Sequence, residues 1–211
     1  MKVWEDRLFP KSLHFPMFLH NLSFKSLTAN LYRVLFILVF LPIGCHKIDG
    51  TKADVKQVVI KDKNGLPQEI YSLKDSVLHG ERILFFPGSK DTSVLETHEN
   101  GQFNGAYRSF FGGNKLKLKG QYINDEMVGL WYKYDERGFL IEEVTFSKNK
   151  ENGPFKEFFP SGQLSVSGNY KDGNTEDGPL LFYNEEGKLV KKMICSGGIC
   201  RTQWKDNQST K

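Results

Sequence analysis

The sequence predicts an all-β protein: an elongated antiparallel β-sheet of tandem β-hairpins, preceded by an N-terminal hydrophobic segment. Three observations predict it. A phrase of roughly two dozen residues recurs, starting at Gly80, Gly105, Gly129, Gly153 and Gly178, with steps of 25, 24, 24 and 25. An aromatic stands five residues after every start, at Phe85, Phe110, Tyr134, Phe158 and Tyr183, in a chain that is only 13% aromatic. And Lys115–Tyr122 alternates strictly, with Leu116, Leu118 and Tyr122 on one face and Lys115, Lys117 and Lys119 on the other, which is the two-residue period of a strand.

The other positions of the phrase complete a hairpin. A second glycine follows the start by eight or nine residues (Gly88, Gly113, Gly138, Gly162, Gly187), where a tight turn needs positive φ. Leucine follows at +11 (Leu116, Leu140, Leu164, Leu189), and an aromatic at +17 in Tyr122, Phe146 and Tyr170. A degenerate unit starts near Lys56 and places Asn64-Gly65 at its turn. Val55–Ile60 and Leu66–Leu73 form its strands and cap the array. In the unit from Gly80, Leu95 and Thr97 stand where glycine and tyrosine are expected, the turn at Pro87–Lys90 is longer, and residues 90–102 read as irregular. Residues 174–177 read as a small insertion. One hairpin is marginal in water, so stacked units stabilise one another, with the +5 aromatics expected as a ladder along the sheet.

The N-terminal 44 residues have a different composition. They hold five of the 29 Lys and Arg and two of the 25 Asp and Glu, leaving 24 basic and 23 acidic residues in the remainder. The basic balance therefore belongs mainly to this leader and does not make the clustered footprint that nucleic acid requires. Residues 34–43 are an apolar run, too short for a comfortable membrane-spanning helix and of the length of a signal-peptide core, with Lys25 and Arg33 before it. Met17 is an alternative start. The run ends Leu41-Pro-Ile-Gly-Cys45, which resembles a bacterial lipobox, although Pro42 occupies the usual leucine position. That resemblance implies cleavage before Cys45, lipidation of its thiol, and a tether over 45–54. The array then spans 55–200, and 201–211 reads as a polar tail.

With Cys45 assigned to lipid, Cys195 and Cys200 remain as an even pair. A disulfide across Ser196–Ile199, with two glycines to turn, suits an oxidising compartment; two free thiols in a frayed tail are the alternative. No metal site is expected, since two cysteines need further ligands and no histidine lies near. His46, His79 and His98 are scattered and read as solvated or turn residues. Glu142-Glu143 and Glu185-Glu186 are adjacent acids, which point to opposite faces of a strand and cannot work as a general acid–base couple. No nucleotide loop or activated nucleophile is evident, so no catalytic residue, cofactor or small-molecule substrate is expected. A second apolar column at +2 comprises Tyr107, Trp131, Phe155 and Leu180, opposite +5, and Phe86, Phe111 and Phe159 share its side. Either the sheet coils enough to cover both faces, or one aromatic strip stays exposed for a partner. Tyr107, Trp131 and Phe155 are the candidate contacts.

Gly129-Leu-Trp-Tyr-Lys-Tyr134-Asp-Glu-Arg-Gly138 and Gly153-Pro-Phe-Lys-Glu-Phe158-Phe-Pro-Ser-Gly162 resemble the MORN-repeat family, in its bacterial variant often labelled as YwqK-type antitoxins. The resemblance covers about residues 56–195. It implies a β-hairpin array and a non-enzymatic role in binding or scaffolding an unknown protein partner. Together with the lipobox, it implies a lipoprotein of the cell envelope, a secreted or periplasmic protein being the alternative. An antitoxin-like inhibitor and a module for acidic lipids are the other functions the resemblance implies.

Overall fold

The computed structural model describes residues 54–206. The signal-like run, Cys45 and all but the last residue of the tether lie outside them. The described chain forms one antiparallel sheet whose strands follow one another in sequence order. Its strands are β1 (Val55–Lys61), β2 (Pro67–Lys74), β3 (Val77–Phe85), β4 (Thr92–Glu99), β5 (Gln102–Phe111), β6 (Lys115–Ile123) and β7 (Glu126–Tyr134). They continue as β8 (Leu140–Ser147), β9 (Lys150–Phe158), β10 (Leu164–Lys171), the two-residue β11 (Thr175–Glu176), β12 (Gly178–Tyr183), β13 (Leu189–Ser196) and β14 (Ile199–Lys205). The short β11 pairs with β10, beside the β10–β12 contact. A single 3-10 turn, Gly112–Asn114, joins β5 to β6.

The repeat phrase specifies two kinds of hairpin. Within a unit, the +5 aromatic pairs with the +11 leucine: Phe110 with Leu116, Tyr134 with Leu140, Phe158 with Leu164, Tyr183 with Leu189. One extra residue then sits beyond that leucine, at Lys117, Ile141, Ser165 and Val190, and shifts the register. Such bulges bend the strand and raise its twist. Between units, two consecutive turn residues take positive φ, as at Asn124 and Asp125 (50° and 66°) and Lys148 and Asn149 (52° and 64°). That is the primed turn matched to strand twist.

These inter-unit turns are bonded to one another. The amides of Gly101, Asp125, Asn149, Gly173 and Gly198 donate to the carbonyls of Leu78, Phe103, Met127, Glu151 and Glu176, one unit back. Side chains reinforce two rungs: Asp125 Oδ1 accepts from the Phe103 amide at 2.7 Å, and Asn149 Oδ1 from the Met127 amide at 2.7 Å. At the opposite ends, Asp62 and Asp135 close their own turns, each Oδ1 accepting two backbone amides.

Pairing and burial place the core on one face. The buried residues Tyr107, Leu118, Tyr122, Met127, Trp131, Val144, Phe146, Phe155, Leu180 and Cys195 all lie there. The +2 side chain pairs with the +15 residue across its hairpin: Tyr107 with Gly120, Trp131 with Val144, Phe155 with Gly168. Glycine at +15 leaves room for the rings. A Cβ on Gly120 would run into the Trp131 indole, and one on Gly168 would come within 2.7 Å of Phe155. The starting glycine has its own constraint. Gly153 adopts φ 124°, and a Cβ there would meet the Thr145 side chain at 3.0 Å.

Two stretches differ from the sequence expectation. Residues 90–102 include the regular strand β4, because Thr92–His98 alternates and pairs on both sides. The tail expected at 201–211 begins inside β14, which pairs with β13 as far as Lys205. Cys195 and Cys200 face each other across that hairpin and are joined as a disulfide, with Cα atoms 4.0 Å apart.

Gly120→Ala is expected to cost about 1–3 kcal/mol of stability through overpacking against Trp131. Gly112→Ala, where a Cβ meets nothing within 4 Å, is expected to stay within about 0.5 kcal/mol of the parent. Urea unfolding of the two variants measures both, and equal midpoints would overturn the ring-over-glycine account.

Candidate functional site

The core rings form a chain of contacts from His98 to Phe146, followed by a stacked pair, Phe155 and Tyr170. His98 and Phe103 have ring centroids 4.6 Å apart, Phe103 and Tyr122 5.1 Å, Tyr122 and Trp131 5.2 Å, and Trp131 and Phe146 6.0 Å. Tyr107 contacts both Tyr122 and Trp131 at 5.7 Å. Phe155 stacks on Tyr170 at 4.1 Å. Tilted and edge-on rings at these separations attract beyond their area burial.

This placement corrects the expectation of an exposed aromatic strip. Tyr107, Trp131 and Phe155 are 9%, 0% and 4% exposed; they are the core and offer no free surface. The bulges and the +15 glycines let one sheet fold its own rings together, so that face needs no second layer. The +5 residues Phe85, Phe110, Tyr134, Phe158 and Tyr183 are only half-buried. They hold the intra-unit hairpins but are not the main packed column.

The unit from Gly80 is built differently. Arg82 occupies the +2 position, and its guanidinium bonds Glu69 at 2.7 Å and Glu96 at 2.9 Å. His98 lies 3.8 Å from the same Glu96 oxygen. Glu96 and His98 are 5% and 4% exposed, so the expectation that His98 is solvated is wrong. The longer turn delays the following strand by one residue, so Glu96 and His98, rather than Leu95 and Thr97, fill the core-facing positions. Burial raises the Glu96 pKa, against the opposing pull of Arg82. Burial lowers that of His98, helped by Arg82 and opposed by Asp125. Burial likewise raises the phenols of Tyr122 and Tyr170, with neighbouring acids and phenols adding to the shift.

The opposite, outer face carries the accessible chemistry. Arg108 stands directly across from Lys119, and Lys119 from Tyr132. The Lys119 Nζ lies 4.6 Å from the Tyr132 ring and 5.8 Å from that of Tyr134, within cation–π range. The adjacent acids separate as alternation demands: Glu142 pairs with Lys133 at 3.4 Å and Glu143 with Lys156 at 3.4 Å, on opposite faces. A shallow hollow of about 230 Å³ is lined by Leu130, Glu143, Thr145, Pro154, Phe155 and Lys156. Leu130 is 48% exposed. Among the described residues, no group of three or more His, Cys, Asp or Glu is placed to hold a metal ion.

A profile of the family described as MORN repeat variant matches residues 151–172. That segment covers most of β9, its turn and β10, the unit in which Phe155 lies over Gly168. The match supports a MORN-type repeat, and the same cross-strand pairing recurs in the units on either side. None of the curated proteins matches the chain.

His98 makes stability pH-dependent. Its native pKa is below the ordinary value near 6.5, so the unfolded chain takes up a proton that the native state resists. Its contribution is intact above about pH 6.5 and is lost as pH falls below that value. Glu96, with a raised pKa, acts in the opposite sense. The parent is expected to lose more stability than His98→Gln between pH 7 and pH 5 in urea unfolding. Parallel profiles would contradict the assignment.

Proposed function

We propose that the protein is a non-enzymatic envelope lipoprotein whose MORN-like sheet binds or scaffolds a protein partner near a membrane. The observation that carries this reading is the repeat itself, a matched MORN variant unit within a sheet of consecutive hairpins. Its core-facing side chains are occupied with one another, which leaves the outer face and the sheet edges for recognition. MORN repeats often serve as protein- or membrane-binding modules. The lipobox-like Leu41–Cys45 supports the membrane address, with His46–Asp54 as the tether. A disulfide at Cys195–Cys200 is in keeping with an oxidising compartment.

The partner surface is the outer face around Leu130, Arg108 and Lys119, rather than the buried Tyr107, Trp131 and Phe155. An exposed leucine near cations that have no ion-pair partner among the described residues suits a partner with an acidic, partly apolar patch. An antitoxin-like inhibitor would use the same surface against a toxin.

Two measurements test this. Cells fed a palmitate analogue are expected to label the parent but not Cys45→Ala, and label surviving that change would remove the anchor. Crosslinking in intact cells is expected to recover a specific protein with the parent and much less with Leu130→Arg. Recovery that Leu130→Arg leaves intact would displace the outer face as the binding surface.

A further inference from the structure

The two end strands, β1 and β14, are the least covered strands among the described residues. Among the described residues, β1 ends the strand order and pairs only with β2. Val55, Val59 and Ile60 are 53%, 46% and 40% exposed, so apolar side chains stand free on both of its faces. Its sequence, Val-Lys-Gln-Val-Val-Ile-Lys, holds no proline or glycine and no acid. Lys56 and Lys61 have no ion-pair partner among the described residues. An edge of this kind presents unpaired backbone groups ready to hydrogen-bond another strand.

The outer face also changes character here. Val59, Ile70, Ile83 and Leu95 are successive cross-strand partners on the outer face, where later units carry Arg108, Lys119 and Lys156. On the core face of the same strands lies the Glu69–Arg82–Glu96 ion cluster. The aliphatic row runs to the free edge and stops at Val59, so a strand added beyond β1 would extend it.

Charge selects the occupant. The other free edge, β14, is basic as well, with Arg201 and Lys205 and no acid. Joining β1 to β14 of a second copy, or β1 to β1, sets cationic edges together, and lysine at an edge is a device against such self-pairing. We infer that β1 accepts an extended segment of a partner protein, one carrying acidic residues opposite Lys56 and Lys61 and apolar residues between them. Main-chain hydrogen bonds would supply affinity and the lysines selectivity. The inference rests on the reading of a protein-binding repeat and names a site and a partner chemistry for it.

The test uses the full chain purified in detergent and a fluorescent eight-residue peptide with two glutamates five positions apart and valines between them, matching the spacing of Lys56 and Lys61, against its counterpart with lysine at those two positions. The parent is expected to bind the glutamate peptide more tightly by about tenfold or more at low salt. Amide exchange is expected to slow in Val55–Lys61 and to stay unchanged in β14. Lys56→Glu with Lys61→Glu is expected to reverse the preference, which a merely unfolded variant would not do. Equal binding of the two peptides, protection elsewhere, or an unreversed preference would overturn the inference, as would a concentration-dependent dimer of the parent that protects β1. Because this measurement uses purified protein, its failure leaves the crosslinking result in cells standing, and a failure of crosslinking leaves the peptide result to be judged alone.

Discussion

The contact on which the structure depends is a large ring laid against a glycine on the neighbouring strand. Among the described residues, the sheet has no second layer to cover its apolar face. It can bury that face only if side chains from adjacent strands cover one another. Trp131 does this by leaning over Gly120, and Phe155 by lying against Gly168. A Cβ at Gly120 or Gly168 would collide with those rings where they stand. The result is a fully buried tryptophan in an open sheet, with rings from β4 to β8 linked by tilted and T-shaped contacts.

Register keeps those contacts in phase. Trp131 meets Gly120 one strand back and Phe155 meets Gly168 one strand forward, and each contact holds only while that pairing stays in register. The turn amides, each bonded one unit back, hold that register at one end of the strands, and the +5/+11 pairs with their bulges hold it at the other. Asn149 shows the economy of the arrangement. It takes the left-handed conformation its turn needs, accepts the Met127 amide through its side chain, and donates to the Asp125 carbonyl. Asparagine tolerates that backbone geometry better than most residues.

Much of the fold was legible in the sequence because a period of 24 or 25 with a glycine turn leaves few alternatives. The face assignment was harder. The +5 aromatics are the most regular feature of the sequence, and regularity suggested a packed ladder. Their regularity reflects the hairpin pair with the +11 leucine instead. The real core column is +2 with +15 and +17, and the available signal was complementary size: Tyr107 opposite Gly120 and Phe155 opposite Gly168. Bulges do not show in a strand's alternation, so the coverage of Trp131 was not readable. His98 was missed for a related reason, since one extra turn residue moved it into the +17 column.

The unit around Arg82 is the point where the repeat stops being interchangeable. A ring at that position would have a packed column on one side and only the thin first hairpin on the other. The chain places a guanidinium there instead, and two carboxylates accept its hydrogen bonds. Removing a charge from water costs several kcal/mol unless its partners are well placed, yet Arg82 remains partly exposed and keeps some of its hydration. The aromatic column can therefore end at His98 without leaving an apolar face open, as terminal units of repeat proteins generally require. The extra turn residue that brings Glu96 and His98 to the core face also places Leu95 on the outer face, in line with Ile83, Ile70 and Val59. The polar end of the core and the apolar outer row thus meet in one unit, where charge stands in place of a ring at +2 and one extra turn residue shifts the strand that follows.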